Sequence, residues 1–430
     1  MMSKPPFMAV VLAAVLGSAG AHAADPPGVE SARRHLLDGS INVLTFRSIE
    51  QLFPTSRVEP SGSPWALPHS EAPLDFSYEY EGHRHAAAEA IDRTYTNALV
   101  ILKHGRIVYE SYRNLTDEHT HFISFSMAKS ITSVLIGIAL KDGVIHSLDD
   151  AITSYVPELK NSAYDGVSIR QALDMSSGAD YLEVYVPDHP DLLSAAFEES
   201  FVEQRTRFVD YARVMRRAYP PGTHYNYSTF ESCVLGWVLE RATHQSLSQY
   251  MTERLWKPGG FESYGAWMLD GPPGVGREFA GGGFNAVARD YARLGLLMLR
   301  MGKVQNRQVV PESWVRESTR PEKREQVDPA DPGFSYHDQW WPLVDSHAFM
   351  ARGLQGQNIY VDPDTDTVVA KLSYYPPGNT TVFRESLAFL KAASLWTPGG
   401  ASGGASGGAS GGGGASGGGG ASGDGAGGAR

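Results

Sequence analysis

The first strong pattern along the chain is a pair of short apolar, β-branched runs around a two-residue polar break. In NALVILKHGRIVYESYR, Asn97 to Arg113, the break is His104-Gly105, and a Gly-containing break between two such runs predicts a β-hairpin. The next stretch, HFISFSMAKSITSVLIGIAL from His121 to Leu140, stays apolar or small for too long to be one strand. It predicts a helix reaching about Lys141 and stopped by Asp142-Gly143. From about Leu148 to Leu255 the pattern is mainly helical, interrupted by MSSGADYLEVYVPDHPD and YPPGTHYNYS. Near the end, NIYVDPDTDTVVAKLSYY (Asn358 to Tyr375) predicts strand, turn and strand, and TTVFRESLAFLKAASLW a closing helix. Strands at both ends with helices between them exclude the alternating rhythm of a parallel sheet. The expected class is α+β: one antiparallel sheet built from both chain ends, flanked by helices, with a mainly helical subdomain inserted.

Composition divides the chain further. Residues 1–23 combine an early lysine, the apolar run FMAVVLAAVLG and the small-residue AHA. They read as a signal peptide cleaved near Ala23, with an apolar run too short for a membrane span. The expected location is therefore periplasmic or secreted, with no stable membrane insertion. Residues 24–90 read as a lead-in, 91–397 as the folded domain, and 398–430 as a flexible Gly/Ala/Ser tail. The tail's GASGG at Gly400 formally matches a nucleophile-elbow motif but lacks the strand and helix that motif requires. A net charge of −11 without a basic block excludes nucleic acid as an expected partner. The single cysteine, Cys233, sits in an apolar helical stripe and reads as a core thiol. The oligomeric state is not legible.

The candidate chemistry begins in the long apolar stretch, where Lys129 follows Ser126 by three places. On a helix these positions share a face. A serine hydroxyl needs a base, and a lysine can be one where burial disfavours its charged form. Ser126 at the helix N-terminus would also place a developing negative charge beside the positive end of the helix dipole. In YPPGTHYNYST, Tyr219 to Thr229, both Tyr225 and Tyr227 qualify by type as a proton relay. In FMARGLQGQNIYVDPD, Gly353 and Gly356 precede an alternating strand, where a backbone N–H could join Ser126 N–H in an oxyanion hole. The histidine pairs His83/His85 and His119/His121 are not completed by carboxylates into a metal motif and read as exposed loop residues.

Together SFSMAKS, PGTHYNYST and ARGLQGQNIYVDP resemble, in order and spacing, the serine β-lactamase and penicillin-recognising superfamily. The resemblance runs from about Ala98 to Leu395 and is greatest to the class C-like esterase and 6-aminohexanoate-dimer (nylon oligomer) hydrolase branch. It implies Ser126, Lys129 and Tyr227 as catalytic residues, and the N–H groups of Ser126 and Leu354 as the oxyanion hole. It also implies that Asp180, Glu183, Tyr185, Trp341 and Gly353 line the substrate site. The implied activity is hydrolysis of a small-molecule amide or ester through an acyl-enzyme, without metal or cofactor. Two positions depart from the superfamily pattern: Ala351, beside Arg352, replaces the lysine of the K-T-G strand, and Thr229 replaces the asparagine of Tyr-x-Asn. Both point away from penicillin. The rival readings are a non-catalytic binder of cell-wall fragments and a penicillin-binding peptidase.

Overall fold

The computed structural model describes residues 25–183, 192–272, 274–321 and 333–399. The signal-peptide reading, the tail beyond residue 399 and Tyr185 lie outside the described residues.

A six-stranded antiparallel sheet forms the centre of the molecule. Its strands are β2 (Thr96–Lys103) and β3 (Arg106–Tyr112) from the first half of the chain, and β7 (Trp341–Pro342), β8 (Phe349–Gly353), β9 (Gln357–Asp362) and β10 (Thr367–Ser373) from the second, in the order β7-β8-β9-β10-β2-β3. The hairpin at His104-Gly105 has positive φ at both residues (51° and 72°), as a turn matching the strand twist requires. Both faces of the sheet are covered, so successive side chains enter opposite cores. Val100, Leu102, Val368, Ala370 and Leu372 join the larger core, and Leu99, Ile101 and Val369 the smaller. Two-sided burial explains why these strands read as continuous apolar runs rather than alternating ones.

The helix that follows the hairpin, α1 (Met127–Lys141), lies between β8 and a second long helix, α3 (Thr229–Thr243). Every residue from Met127 to Ala139 is buried. Gly137 allows a close contact: a Cβ there would fall 2.3 Å from the Trp314 ring, carried by α5 (Glu312–Thr319). Helix α4 (Ala288–Leu299) covers β9 and β10 on the larger-core side. The closing helix α6 (Thr380–Leu395), capped by Asn379 Oδ1 accepting from Val382 N–H at 3.1 Å, covers the other face.

A second, four-stranded antiparallel sheet escapes the sequence patterns. It joins β1 (Thr55–Val58), β4 (His121–Ile123), β5 (Gly265–Met268) and β6 (Phe284–Val287) in the order β1-β5-β6-β4. The segment read from the sequence as a lead-in, 24–90, supplies β1 and puts Leu36, Phe46, Ile49, Phe53 and Val58 into the larger core. The inserted region between Leu148 and Leu255 is made of short helical segments, among them α2 (Ile169–Leu173), and of α3. Among the described residues, no helix is long and apolar enough to cross a membrane.

Candidate active site

Ser126 opens α1 from the N-cap position and is half-buried, next to fully enclosed neighbours. The preceding residue, Phe125, has φ +42°, a conformation that costs a bulky side chain about 1 kcal/mol or more. Its ring packs edge-on against Phe46 at 4.8 Å, and its carbonyl accepts from Ser124 Oγ at 2.9 Å. This turn aims Ser126 out of the core while α1 continues inward. The N–H groups of Met127 and Ala128 donate to Ser124 O and Phe125 O. Ser126 N–H has no backbone acceptor among the described residues.

One turn along, Lys129 is 1% exposed. Its Nζ lies 3.0 Å from Ser126 Oγ, 3.0 Å from Thr229 Oγ1 and 2.7 Å from Gly281 O. These three oxygens account for every hydrogen-bonding direction of the amine. A neutral amine can donate to Thr229 and Gly281 and turn its lone pair to the serine hydroxyl; an ammonium can donate to all three. Thr229 Oγ1 in turn donates to Glu183 Oε1 at 2.8 Å, and Thr229 N–H donates to Glu183 Oε2. Glu183 thus sits at the N-terminus of α3, where a carboxylate is favoured, one hydroxyl away from Lys129. Tyr181 Oη also donates to it, at 3.3 Å. The structure therefore gives Glu183 a place behind the lysine, whereas the resemblance implied a substrate contact.

Tyr227 presents its ring face to Lys129, with Nζ 5.0 Å from the ring centroid. Tyr227 is partly exposed and packs against Tyr336 and Trp341, each at 5.8 Å. Tyr225 packs instead on Tyr336, at 5.5 Å. Of the two candidate tyrosines, Tyr227 is thus the one stacked beside the lysine. The adjacent tryptophans separate in the same way. Trp340 is fully buried against Phe349, and Trp341 stands partly exposed beside Tyr227.

Gly353 ends β8 against the turn that carries Ser126: a Cβ on it would fall 2.2 Å from Ser124 O. The glycine serves this backbone-to-backbone approach, and it brings Leu354, the next residue, beside the Ser126 turn. Gln355 then takes φ +54°, with its side chain donating to Leu37 O at 2.8 Å. Arg352, next to the departure at Ala351, lies over the rings of Phe383, Trp341 and Phe334 at 4.1, 4.4 and 4.5 Å. Ala351 itself is fully buried in the larger core. Asp180 is exposed on a loop whose backbone bonds to Arg216 O.

The histidine pairs have other surroundings. His85 packs on Tyr78 in a tilted pair at 5.3 Å, and His83 and His119 are exposed. His121 is half-buried in β4 rather than on an exposed loop. It stacks on Tyr264 at 4.1 Å, and burial lowers its basicity. The Thr229 and Gly281 contacts of Lys129 were missed at sequence level. Thr229 was visible only as a departure from a pattern, and Gly281 offers a backbone oxygen, which no residue type announces.

A half-buried serine hydrogen-bonded to a fully buried lysine, with a tyrosine ring stacked against it, on an antiparallel sheet framed by helices, defines the class. Residues 85–393 match the family model described as Beta-lactamase, and the chain belongs to that family of hydrolases. Among characterised relatives, the 6-aminohexanoate-dimer hydrolase of Paenarthrobacter ureafaciens is 29% identical over 304 residues, covering 68% of this chain and 76% of the relative. A solved structure from Bacillus anthracis, described as a candidate 6-aminohexanoate-dimer hydrolase, superposes with a TM-score of 0.76 at 24% identity, covering 84% of this chain and 96% of that one. The hydrolase EstCE1, described as having promiscuous acyltransferase activity, superposes at 0.56 with 18% identity, covering 72% and 96%.

Proposed function

We propose that this chain is a serine hydrolase that cleaves a small amide or ester through an acyl-enzyme on Ser126. The observation that carries the reading is the contact between Lys129 Nζ and Ser126 Oγ, at 3.0 Å, with the amine's other directions anchored on Thr229 and Gly281. Ser126 Oγ attacks the carbonyl carbon while Lys129 takes its proton. The charge that forms on Lys129 is offset through Thr229 by the Glu183 carboxylate. The N–H groups of Ser126 and Leu354 hold the tetrahedral oxyanion, usually a large part of the barrier reduction. Tyr227 relays that proton from Lys129 to the departing amine or alcohol, and water then attacks the acyl-enzyme, giving a proton back to Ser126 Oγ as the acid is released.

The relatives support an amide or ester of 6-aminohexanoate-dimer size as the substrate class. Trp341 beside Tyr227 would form one wall of the cleft, with Asp180 at its outer edge. The arrangement of Ala351 in the core and Arg352 against three rings supports an amide or ester over a penicillin. The leader at residues 1–23 would send the enzyme to the periplasm or the medium. The test is a panel of p-nitrophenyl esters and short linear amides, assayed with the wild type and Ser126→Ala. Turnover by the wild type alone supports the reading, and equal turnover by both proteins contradicts it.

A further inference from the structure

Behind the cleft, four side chains that the proposed reaction does not use converge on one point. His337 is 5% exposed, with Nδ1 3.1 Å from Asp174 Oδ1. Its Nε2 is 3.3 Å from Asp338 Oδ2 and 3.8 Å from Glu317 Oε1. Asp338 is fully buried, and neither of its carboxylate oxygens accepts a hydrogen bond. A carboxylate enclosed in this way is costly without a compensating charge. The turn is also held in the left-handed region, at φ +45° for Asp338 and +67° for Gln339, which requires strong local anchoring. Asp338 N–H supplies part of it by donating to Asp174 Oδ1 at 3.0 Å.

We propose that His337, Asp338 and Glu317 bind one divalent transition-metal cation, with Asp174 orienting the imidazole. Ligand atoms around a tetrahedral zinc ion with bonds of about 2.0–2.2 Å stand roughly 3.3–3.6 Å apart. The separations of 3.3 and 3.8 Å around Nε2 need only a small adjustment to meet that. Asp174 Oδ1, 3.1 Å from Nδ1, stands where a rotation of the ring would give the second requirement of such sites, a carboxylate that fixes the imidazole's tautomer and direction. Arg170 and Arg320 reach the same Glu317 Oε1 at 3.9 and 3.3 Å, so the cation would compete with these two arginines for that oxygen. A donor set of one imidazole and two carboxylates, without sulfur, suits Zn2+ or Mn2+.

The ion would be structural rather than catalytic. Residue 339, next to Asp338, ties together the two helices of the cleft. Gln339 O accepts from Ser130 Oγ of α1, and Gln339 Oε1 accepts from Ser232 Oγ of α3. Its amide donates to Ala172 O and Leu173 O of α2 at 3.2 and 3.1 Å. Trp341, the proposed cleft wall, is two residues further on. A cation linking α5, the end of α2 and this turn would therefore fix the wall without touching the reacting atoms.

The test uses the full chain after chelator treatment, dialysed against Zn2+ or Mn2+ alone, with bound metal read by elemental mass spectrometry and Tm by calorimetry. The expected result is one equivalent of metal and a higher Tm in wild type and Ser126→Ala alike. Asp338→Asn should bind at least tenfold more weakly, and Asp174→Asn about tenfold more weakly through loss of the orienting contact. His337→Gln serves as the second ligand variant if Asp338→Asn does not fold. Absence of stoichiometric zinc or manganese on the folded wild type would overturn the proposal. Uptake unchanged in Asp338→Asn and His337→Gln would do the same.

Discussion

Two of the lysines buried among the described residues have surroundings that separate chemistry from structure. Lys129 and Lys371 are each 1% exposed, and each hydrogen-bonds to a serine hydroxyl and a backbone carbonyl. Lys371 sits on β10 inside the sheet, donating to Ser373 Oγ and Thr94 O, and burial pushes it down to about 7. By residue type and burial alone, it is as good a base as Lys129. The difference lies in the serine. Ser373 is 1% exposed at the end of β10, whereas Ser126 is half-buried at a helix N-terminus, bonded to a lysine that faces the Tyr227 ring. Only Lys129 also has a hydroxyl leading on to a carboxylate, through Thr229 to Glu183. A buried lysine next to a serine is therefore not a site until substrate can reach the hydroxyl and the lysine's charge has a countercharge.

The comparison breaks most directly by substitution at both lysines. Lys129→Met should lower kcat/KM on the best ester by about 10³-fold or more, as expected when a nucleophile loses its base. Lys371→Met should leave kcat/KM within roughly threefold, because it touches no reacting atom. Similar losses in both variants, with folding confirmed by circular dichroism, would erase the distinction.

The countercharge gives a smaller effect. Glu183→Gln keeps the shape but removes the negative charge behind Thr229, and should reduce kcat by about 10–100-fold with KM little changed. Thr229→Val, which removes the connecting hydroxyl, should fall in the same range. Because both residues act through Lys129, the double variant should lose little more than either single one. Full additivity in steady-state kinetics would contradict the relay.

The smallest effect concerns another buried acid on α3. Glu231 is 1% exposed, accepts from Ser177 Oγ, and is pushed up by burial from 4.5 to about 8. Its folded form holds a proton that the unfolded chain releases near 4.5, so its contribution to stability is complete below that pH. It is lost progressively as pH rises toward 8. Glu231→Gln should therefore gain Tm relative to wild type at pH 8, and gain little at pH 5. A gain of equal size at both pH values would show that the carboxyl does not titrate in this way.

How much of this was legible follows the range of each interaction. The hairpin around His104-Gly105 and the helix ending at Asp142 are local, and their residues announce them. The Ser126–Lys129 pair is legible for the same reason, since three residues on a helix fix the geometry. The four-stranded sheet was not, because its strands have three or four residues each and pair positions as far apart as Thr55 and Met268. His337 was passed over in favour of the local pairs His83/His85 and His119/His121, although its carboxylates come from positions 174, 317 and 338. For Glu183 the resemblance implied a place in the loop that lines the cleft, whereas the contacts of its carboxylate with Thr229 depend on where α3 begins.

The central claim is that Ser126 is an activated nucleophile open to substrate. Intact-mass spectrometry after treatment with a fluorophosphonate probe measures this directly, because the probe phosphonylates serines whose hydroxyl is activated by a base. The account predicts one adduct per chain in the wild type and in Lys371→Met, and none in Ser126→Ala. An adduct that persists in Ser126→Ala, or a folded wild type that takes up no probe while smaller sulfonyl fluorides also fail to react, would contradict it.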